Sequence, residues 1–212
     1  TFDVTDGQLV ITPVDAVIVK IKGNTASVVY NGEERTVTGY EVTDISNAQY
    51  KASDVALKEG KEAKASGTNV GTYEMGLTAD SFANTNANFA NVKFVVEDGE
   101  LEITPLEVTV TITGNSDSKV YTGSEQKVEG YEVEISNDLY TEDDFSFSGE
   151  AVAKGTDVGT YPMNLDADQF TNNNDNFDIT FIVEDGQLEI TPVDVVIVKI
   201  KGNTASVVYN GE

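Results

Sequence analysis

The chain has 212 residues, and 37 Asp and Glu residues against 13 Lys and Arg residues give a formal net charge of −24. Because Cys and His are both absent, the sequence excludes a Ser-His-Asp triad, a cysteine nucleophile and an ordinary zinc site. The negative charge repels phosphate groups and no apolar run approaches the roughly 18 residues of a membrane span, so we expect neither nucleic-acid binding nor membrane insertion.

Internal repeats set the organisation of the chain. The phrase Asp-Gly-Gln/Glu-Leu-x-Ile-Thr-Pro occurs at residues 6–13, 98–105 and 185–192, and residues 180–212 repeat residues 1–33 with four differences. Such self-similarity indicates a repeat architecture, and we expect the chain to be a segment of a longer array with two alternating repeat types. The predicted parts are the C-terminal hairpin of a preceding repeat, a first complete repeat, a second complete repeat and the first strand of a following repeat. Their residues are 1–13, 14–105, 106–192 and 193–212.

The first strand of each complete repeat has one aliphatic face. Its other face varies between the copies among Ile, Lys and Thr. This alternation predicts a half-buried β-strand with one solvated face. The aliphatic positions are Val17, Val19 and Ile21 in the first repeat and Val108, Val110 and Ile112 in the second.

A lysine-containing stretch at residues 52–65 is compatible with a short helix. The corresponding part of the second repeat contains Phe145-Ser146-Phe147-Ser148, whose alternation indicates a strand. Since the two repeats should share a fold, we favour strand or irregular structure for both.

A tyrosine motif follows in both repeats. Residues 157–163, Asp-Val-Gly-Thr-Tyr-Pro-Met, resemble the immunoglobulin tyrosine corner, with Met163 at the cysteine position, and residues 69–75 are the first copy. We expect Tyr73 and Tyr161 to be buried, each with its hydroxyl bonded to nearby backbone, and Pro162 to lie at a strand end or sheet edge.

Asparagine-rich segments at residues 84–88 and 172–176 invite a calcium hypothesis, because Ca²⁺ takes oxygen ligands and aspartates flank both segments. The spacing matches no EF-hand, so a loop whose Asn side chains bond local backbone is the favoured interpretation. The flanking acids are Asp80, Asp166, Asp168, Asp175 and Asp178.

Two strands are predicted at the end of each repeat. Asp98-Gly99 and Asp185-Gly186 separate apolar runs, and Asp-Gly favours the type I′ turn of a hairpin. The residues Val95 and Ile182 should face outward, because the third copy has Asp3 at that position. Thr-Pro pairs at 12–13, 104–105 and 191–192 should then connect the last strand of one repeat directly to the first strand of the next.

These motifs, in this order, resemble the MBG/YDG-type repeats of bacterial surface adhesins. The shared series is Tyr-x-Gly, Gly-Thr-x-Val-Gly-Thr-Tyr-x-Met, Phe-x-Asn-x-Asn-x-Asn-Phe and Val-Glu-Asp-Gly-x-Leu-x-Ile-Thr-Pro, and it covers nearly the whole chain. The resemblance implies an all-β fold of tandem Ig-like β-sandwich repeats arranged end to end. It also implies an extracellular protein of the bacterial cell surface, whose partners are neighbouring repeats and, through other domains, a host glycan or protein.

Several alternatives remain open at this point. One is that the repeats themselves bind a host glycan or mucin-like ligand. The others are a Lys–Asn isopeptide bond that cross-links a domain and an acidic surface that attracts a basic partner. Against an isopeptide bond, no lysine keeps its place in both repeats. We assign no catalytic, cofactor-binding or metal-binding residue and no cofactor, and we predict a structural stalk or spacer rather than an enzyme.

Overall fold

The computed structural model describes residues 16–211 together with Asp3 and Gly7. The predicted hairpin at 1–13 and the first Thr-Pro junction lie outside the described residues. The fold is all-β, in two tandem repeats. None of the helices in the described residues has the length and apolar composition that crossing a membrane requires.

The first repeat contains ten short strands and two three-residue 3₁₀ helices, Ala52–Asp54 and Ala79–Ser81. Its strands are β1 (Val17–Gly23), β2 (Ala26–Val29), β3 (Arg35–Thr38), β4 (Tyr40–Ile45), β5 (Val55–Leu57), β6 (Lys64–Gly67), β7 (Gly71–Glu74), β8 (Phe82–Asn84), β9 (Val92–Glu97) and β10 (Glu100–Thr104).

The second repeat has the same element order, with 3₁₀ helices at Glu142–Asp144 and Ala167–Gln169. Its strands are β11 (Leu106–Gly114), β12 (Asp117–Val120), β13 (Gln126–Glu129), β14 (Tyr131–Ile135), β15 (Phe145–Phe147), β16 (Val152–Gly155), β17 (Gly159–Pro162), β18 (Phe170–Asn172), β19 (Phe177–Glu184) and β20 (Gln187–Thr191).

Strand pairing is also the same in both repeats. The first repeat has the orders β4-β1-β9 and β2-β10-β7 with the pairs β3-β6 and β5-β8, and the second has β14-β11-β19 and β12-β20-β17 with β13-β16 and β15-β18. Strands β1 and β9 are parallel, as are β2 and β10. The arrangement agrees with the predicted all-β sandwich repeats.

The prediction of a closing hairpin is wrong. Strands β9 and β10 belong to different sheets, so Asp98-Gly99 carries the chain from one sheet to the other. The Asp98 carboxylate accepts the backbone N–H groups of Gly76 and Leu77, both at 2.8 Å. Gly99 lacks the positive φ of a type I′ turn, and glycine is needed because a β-carbon would lie 2.5 Å from the Asn24 carbonyl oxygen.

The first strand has the predicted alternation. Val17, Val19 and Ile21 are at most 2% exposed, whereas Ile18 between them is 42% exposed. Burial of such a side chain contributes about 1.5–3 kcal/mol, so this face anchors the core. Val95 and Ile182 are exposed as predicted.

Residues 52–65 form strand and irregular structure after one 3₁₀ turn, as favoured from the sequence. Leu57 packs in the core and Lys58 follows it on the surface. The apolar residues of this stretch lack the 3.6-residue period that a longer amphipathic helix would need.

Pro105 is the single residue between β10 and β11, as the Thr-Pro prediction requires. Residues 193–211 follow β20, contain no strand and are all exposed. Their assignment to a following repeat stays a prediction.

The chain divides into two compact units that do not coincide with the two repeats. One unit covers the described residues up to Val108 together with Asn137–Asp144 and Asn172–Thr180. The other covers Thr109–Ser136, Phe145–Thr171 and the residues from Phe181 onward. Two loops of the second repeat are therefore packed in the same unit as the first repeat.

Candidate functional site

The asparagine-rich loop of the first repeat is a hydrogen-bonded cluster. The Asn84 Nδ2 atom donates to the carbonyl oxygens of Asn86 (3.1 Å) and Phe89 (2.8 Å), and its Oδ1 atom accepts the Asn86 N–H (2.9 Å). The Tyr50 hydroxyl lies 3.0 Å from Asn84 Oδ1 and 2.9 Å from the Asp54 carbonyl oxygen. Asn86 in turn donates to the Asp54 carboxylate at 3.1 Å.

The second repeat contains the same cluster around Tyr140. Asn172 donates to the carbonyl oxygens of Asn174 and Phe177, both at 3.1 Å, and Asn174 donates to the Asp144 carboxylate at 2.8 Å. The Asn174 bond is the largest cause that lowers the pKa of Asp144, followed by burial, which opposes it, and by hydrogen bonds from Thr141. Burial and, second, the Asp144 charge raise the pKa of Tyr140 to about 12.

These contacts give the Asn side chains local backbone partners, as the favoured loop interpretation expects. The amide oxygens of Asn84 and Asn172 already accept backbone and tyrosine hydrogen bonds. Across the described residues, no three Asp or Glu side chains form a group able to hold a metal ion. Asp80 and Asp168 lie in 3₁₀ helices, and Asp166 accepts the Asp168 N–H, so the structure does not bring the flanking acids into one site.

The tyrosine corner is present in both repeats. The Tyr73 hydroxyl donates to the Asn69 carbonyl oxygen and the Tyr161 hydroxyl to the Asp157 carbonyl oxygen, both at 2.9 Å. Both rings are half-buried rather than fully buried as predicted, and each lies across a glycine, Gly67 or Gly155. Met163 is 4% exposed, and Pro162 ends the edge strand β17 as predicted.

The lysines with acidic partners lie at the surface. Lys20 pairs with Asp44 at 3.0 Å and Lys22 with Glu97 at 2.6 Å, with about half of each lysine side chain exposed. The hydrogen bond and the charge of Glu97 raise the pKa of Lys22. Exposed pairs of this kind contribute at most about 1 kcal/mol, and they lack the buried setting that an isopeptide bond requires.

A joint forms where the first repeat meets the Asn loop of the second. Asn176 Oδ1 accepts the Val70 N–H at 2.8 Å, and Asn176 Nδ2 lies 3.3 Å from Asn69 Oδ1. The ring of Tyr30 meets the ring of Phe177 edge to face, with centroids 5.3 Å apart. Leu106, the first residue of β11, donates its N–H to the Asn176 carbonyl oxygen at 3.0 Å.

The sequence did not reveal this joint. Asn176 corresponds to Asn88, Val70 to Val158 and Tyr30 to Tyr121. Because every one of these residues recurs in the other repeat, the sequence indicates a role within a single repeat and not between repeats. The sequence feature that pointed to the joint was the Tyr-x-Gly motif after β2, because it places an aromatic residue next to a turn, where a core position is not expected.

The hydrogen-bonded clusters hold neighbouring strands and loops together. The described residues contain tyrosine–asparagine–aspartate clusters whose polar atoms are paired with each other. The recurring aromatic residues Tyr50, Phe82, Tyr140 and Phe170 are at most 5% exposed, so they offer no stacking surface to a sugar.

A family model described as MBG domain matches residues 17–105 and again residues 108–192. No curated protein matches the chain.

Proposed function

The chain belongs to the MBG domain family, and on that premise we propose that its repeats are a structural spacer in a bacterial surface adhesin. The family match confirms the MBG-type repeats predicted from the sequence. MBG tandem repeats occur in surface proteins, and the family is one of non-catalytic repeat domains. In this proposal the array is secreted or attached to the cell wall and projects a distal binding domain from the cell.

The observation that carries the proposal is the direct passage from β10 to β11 through Pro105 alone. Proline fixes φ near −65°, so it removes freedom at the place where a flexible linker would otherwise stand. The Asn176 and Phe177 contacts add hydrogen bonds and an aromatic contact at the same place. A connection of this kind suits a module whose task is to set a distance.

The net charge of −24 supports the same function. Like charges distributed along the repeats repel one another and keep neighbouring sheet edges from pairing. A spacer that is crowded on a cell surface benefits from both effects.

Small-angle scattering on chains with two, four and six repeats tests the spacer proposal. We expect the maximum dimension to rise by the same increment with each added pair. A dimension that stops rising would contradict the proposal.

Binding of the 212-residue chain to a glycan array tests the competing hypothesis. Saturable binding, abolished by substitution of a surface residue in the repeats, would show that the repeats themselves act as the adhesive module. The spacer proposal expects no such binding.

A further inference from the structure

Each repeat has a receiving face and an inserting loop, and the described residues contain one joint in which the two meet. The receiving face of the first repeat consists of Tyr30, Asn69 and Val70, and the inserting loop of the second consists of Asn176 and Phe177. The internal repeat therefore leaves a receiving face on the second repeat and an inserting loop on the first.

The receiving face of the second repeat has the geometry of the occupied one. Tyr121 donates its N–H to the Thr191 carbonyl oxygen at 2.8 Å, as Tyr30 does to Thr104 at 2.9 Å. The Tyr161 hydroxyl holds the Asp157 carbonyl oxygen at 2.9 Å, which is the distance of the Tyr73–Asn69 bond. Backbone positions on the two faces are thus fixed by the same bonds.

This second face lacks the contacts of the first. Val158 is 53% exposed and Tyr121 is 38% exposed, whereas Val70 and Tyr30 are both half-buried. The Val158 N–H has no acceptor within the part of the chain that the structure describes. Within the described residues, the second repeat thus presents a free Val N–H beside an exposed Tyr ring. At the occupied joint the corresponding Val70 N–H donates to Asn176, and the Tyr30 ring contacts Phe177.

The inserting loop of the first repeat is likewise preformed. Asn88 donates its N–H to Asn86 Oδ1 at 3.1 Å, and Asn176 donates to Asn174 Oδ1 at the same distance. Asn88 is exposed and its Oδ1 atom accepts no hydrogen bond from a described residue, whereas Asn176 is half-buried at its joint. The loop therefore needs little rearrangement before it can insert.

We propose that the face formed by Tyr121, Asp157 and Val158 docks the Asn88 loop of a second copy of this chain. The Val158 N–H donates to Asn88 Oδ1, and the Phe89 ring edge packs against Tyr121. Because receiving face and inserting loop lie on different repeats, the contact is heterologous and head-to-tail, and successive copies can extend it.

One substitution strengthens the docked contact relative to the occupied joint. Asp157 stands where the first repeat has Asn69, so the Asn88 amide donates to a carboxylate instead of an amide oxygen. Hydrogen bonds to an ionised acceptor are stronger than those between neutral groups.

Two further differences separate the contacts. Gln49 replaces Leu139, which lies against Gly32 at the occupied joint, and Ala90-Asn91 stands where the second repeat has Asp178 alone. Gln49 makes the docked contact less apolar than the occupied one. Ala90-Asn91 lengthens the loop that follows Phe89 by one residue.

The test uses the sequence identity between residues 196–211 and 17–32. Two copies are joined in one chain, with residue 34 of the second copy placed directly after residue 212 of the first. Residues 196–212 of the first copy then stand in for residues 17–33 of the second, which they match. Covalent joining raises the effective concentration of the Asn88 loop and makes a contact of small area measurable. Amide hydrogen exchange by NMR is read at Val70 and at Val158 of the first copy.

We expect the Val158 amide of the first copy to exchange about fivefold more slowly in the joined chain than in the single chain, since one hydrogen bond contributes about 1 kcal/mol. Asn88→Ala in the second copy should restore fast exchange. The matched control is Asn88→Ala in the first copy, which leaves Val158 protected. Val55 exchange in each variant reports that the repeat carrying the substitution remains folded.

Equal Val158 exchange in the single and joined chains would overturn the proposal, as would protection that survives Asn88→Ala in the second copy. The spacer function is tested separately by scattering, because an array can grow in length with no protection at Val158. Failure of one therefore does not imply failure of the other.

Discussion

The two repeats share their polar clusters and differ in their cores. Tyr50 and Tyr140 each contact an asparagine Oδ1 at 3.0 Å, and each cluster has an aspartate that accepts an asparagine amide. The residues that pack nearby differ in size, because Val55 and Leu57 of the first repeat correspond to Phe145 and Phe147 of the second.

The larger residues of the second repeat build an aromatic cluster. Phe147 stacks on Phe170 with centroids 4.8 Å apart, and Phe145 meets Phe181 edge to face at 5.6 Å. In the first repeat Leu57 packs against the core that contains Phe82. Apolar volume can be redistributed among neighbours, whereas a hydrogen-bond cluster loses a bond whenever one donor or acceptor changes. We infer that the asparagine clusters constrain the repeat sequence more strictly than the core does.

We therefore expect the largest loss of stability from substitution of the cluster asparagines, and we expect it to be equal in both repeats. Asn84→Ala and Asn172→Ala each remove two donated and two accepted hydrogen bonds and should each destabilise the protein by about 2–4 kcal/mol, measured by urea unfolding followed by tyrosine fluorescence. The variants Asn84→Asp and Asn172→Asp retain the acceptor but set a carboxylate oxygen against two carbonyl oxygens, so they should lose at least as much. A cost below about 1 kcal/mol in one repeat alone would show that its core, not its polar cluster, holds the loop.

A second comparison concerns the glycines under the corner tyrosines. A β-carbon added to Gly67 or Gly155 would fall within the ring of Tyr73 or Tyr161. Overpacking of this kind costs about 1–3 kcal/mol, so Gly67→Ala and Gly155→Ala should both lower the free energy of unfolding. Gly60→Ala is the surface control for strain alone, because its β-carbon meets no atom within 4 Å although its φ is +77°.

The corner hydroxyls should contribute less. Tyr73→Phe and Tyr161→Phe each remove one hydrogen bond to a backbone carbonyl while the ring remains, and we expect a loss of about 1 kcal/mol in either repeat. Thermal unfolding of the two variants and of the double variant measures this, and the losses should add because the corners share no contact partner. A double variant that loses far more than the sum would show that the two corners are coupled.

The smallest expected effect is on the pH dependence of the free energy of unfolding, and it concerns Asp144 of the second repeat. Asp144 has a pKa below its ordinary value of 3.8, so its charged form is favoured in the folded chain. The stabilisation is present above about pH 4 and is lost as the pH falls through the lowered pKa. Asp144→Asn should make the free energy of unfolding fall less between about pH 5 and pH 2.

Thr141 supplies the matched variant for the pH measurement. Its hydroxyl donates to the Asp144 carboxylate at 3.0 Å, whereas Lys51 at the corresponding place in the first repeat donates its Nζ to the Ala48 carbonyl oxygen. Thr141→Val should remove part of the pH dependence that Asp144→Asn removes. Identical pH profiles for wild type and Asp144→Asn would contradict the lowered pKa.

Sequence comparison between the repeats predicted the local features well. Alternation at Val17, Val19 and Ile21 identified a strand because period-2 burial is a property of the strand itself. The tyrosine corner was predictable for a similar reason, since the hydroxyl bonds a carbonyl only four residues earlier. The outward positions of Val95 and Ile182 followed from a copy that carries Asp there.

The features that failed depend on distant parts of the chain. Asp98-Gly99 has the composition of a hairpin turn, but the strands that it connects pair in different sheets, β9 with β1 and β10 with β2. The Asn84 cluster depends on Tyr50 and Asp54, which are about thirty residues away. The joint at Asn176 depends on Val70, more than a hundred residues earlier. Local composition carries no information on such pairings.

The identity of residues 17–32 and 196–211 has a consequence for how the chain folds. The first segment forms β1 and β2, yet the second has the same sixteen side chains and remains exposed without a strand. During refolding both segments compete for the place between β4 and β9, and capture of the later one would thread the chain into a misassembled state. The segment nearer in sequence closes the shorter loop to β4 and so wins kinetically. Synthesis from the N-terminus should reduce misassembly further, because residues 17–32 emerge and can pair before residues 196–211 exist.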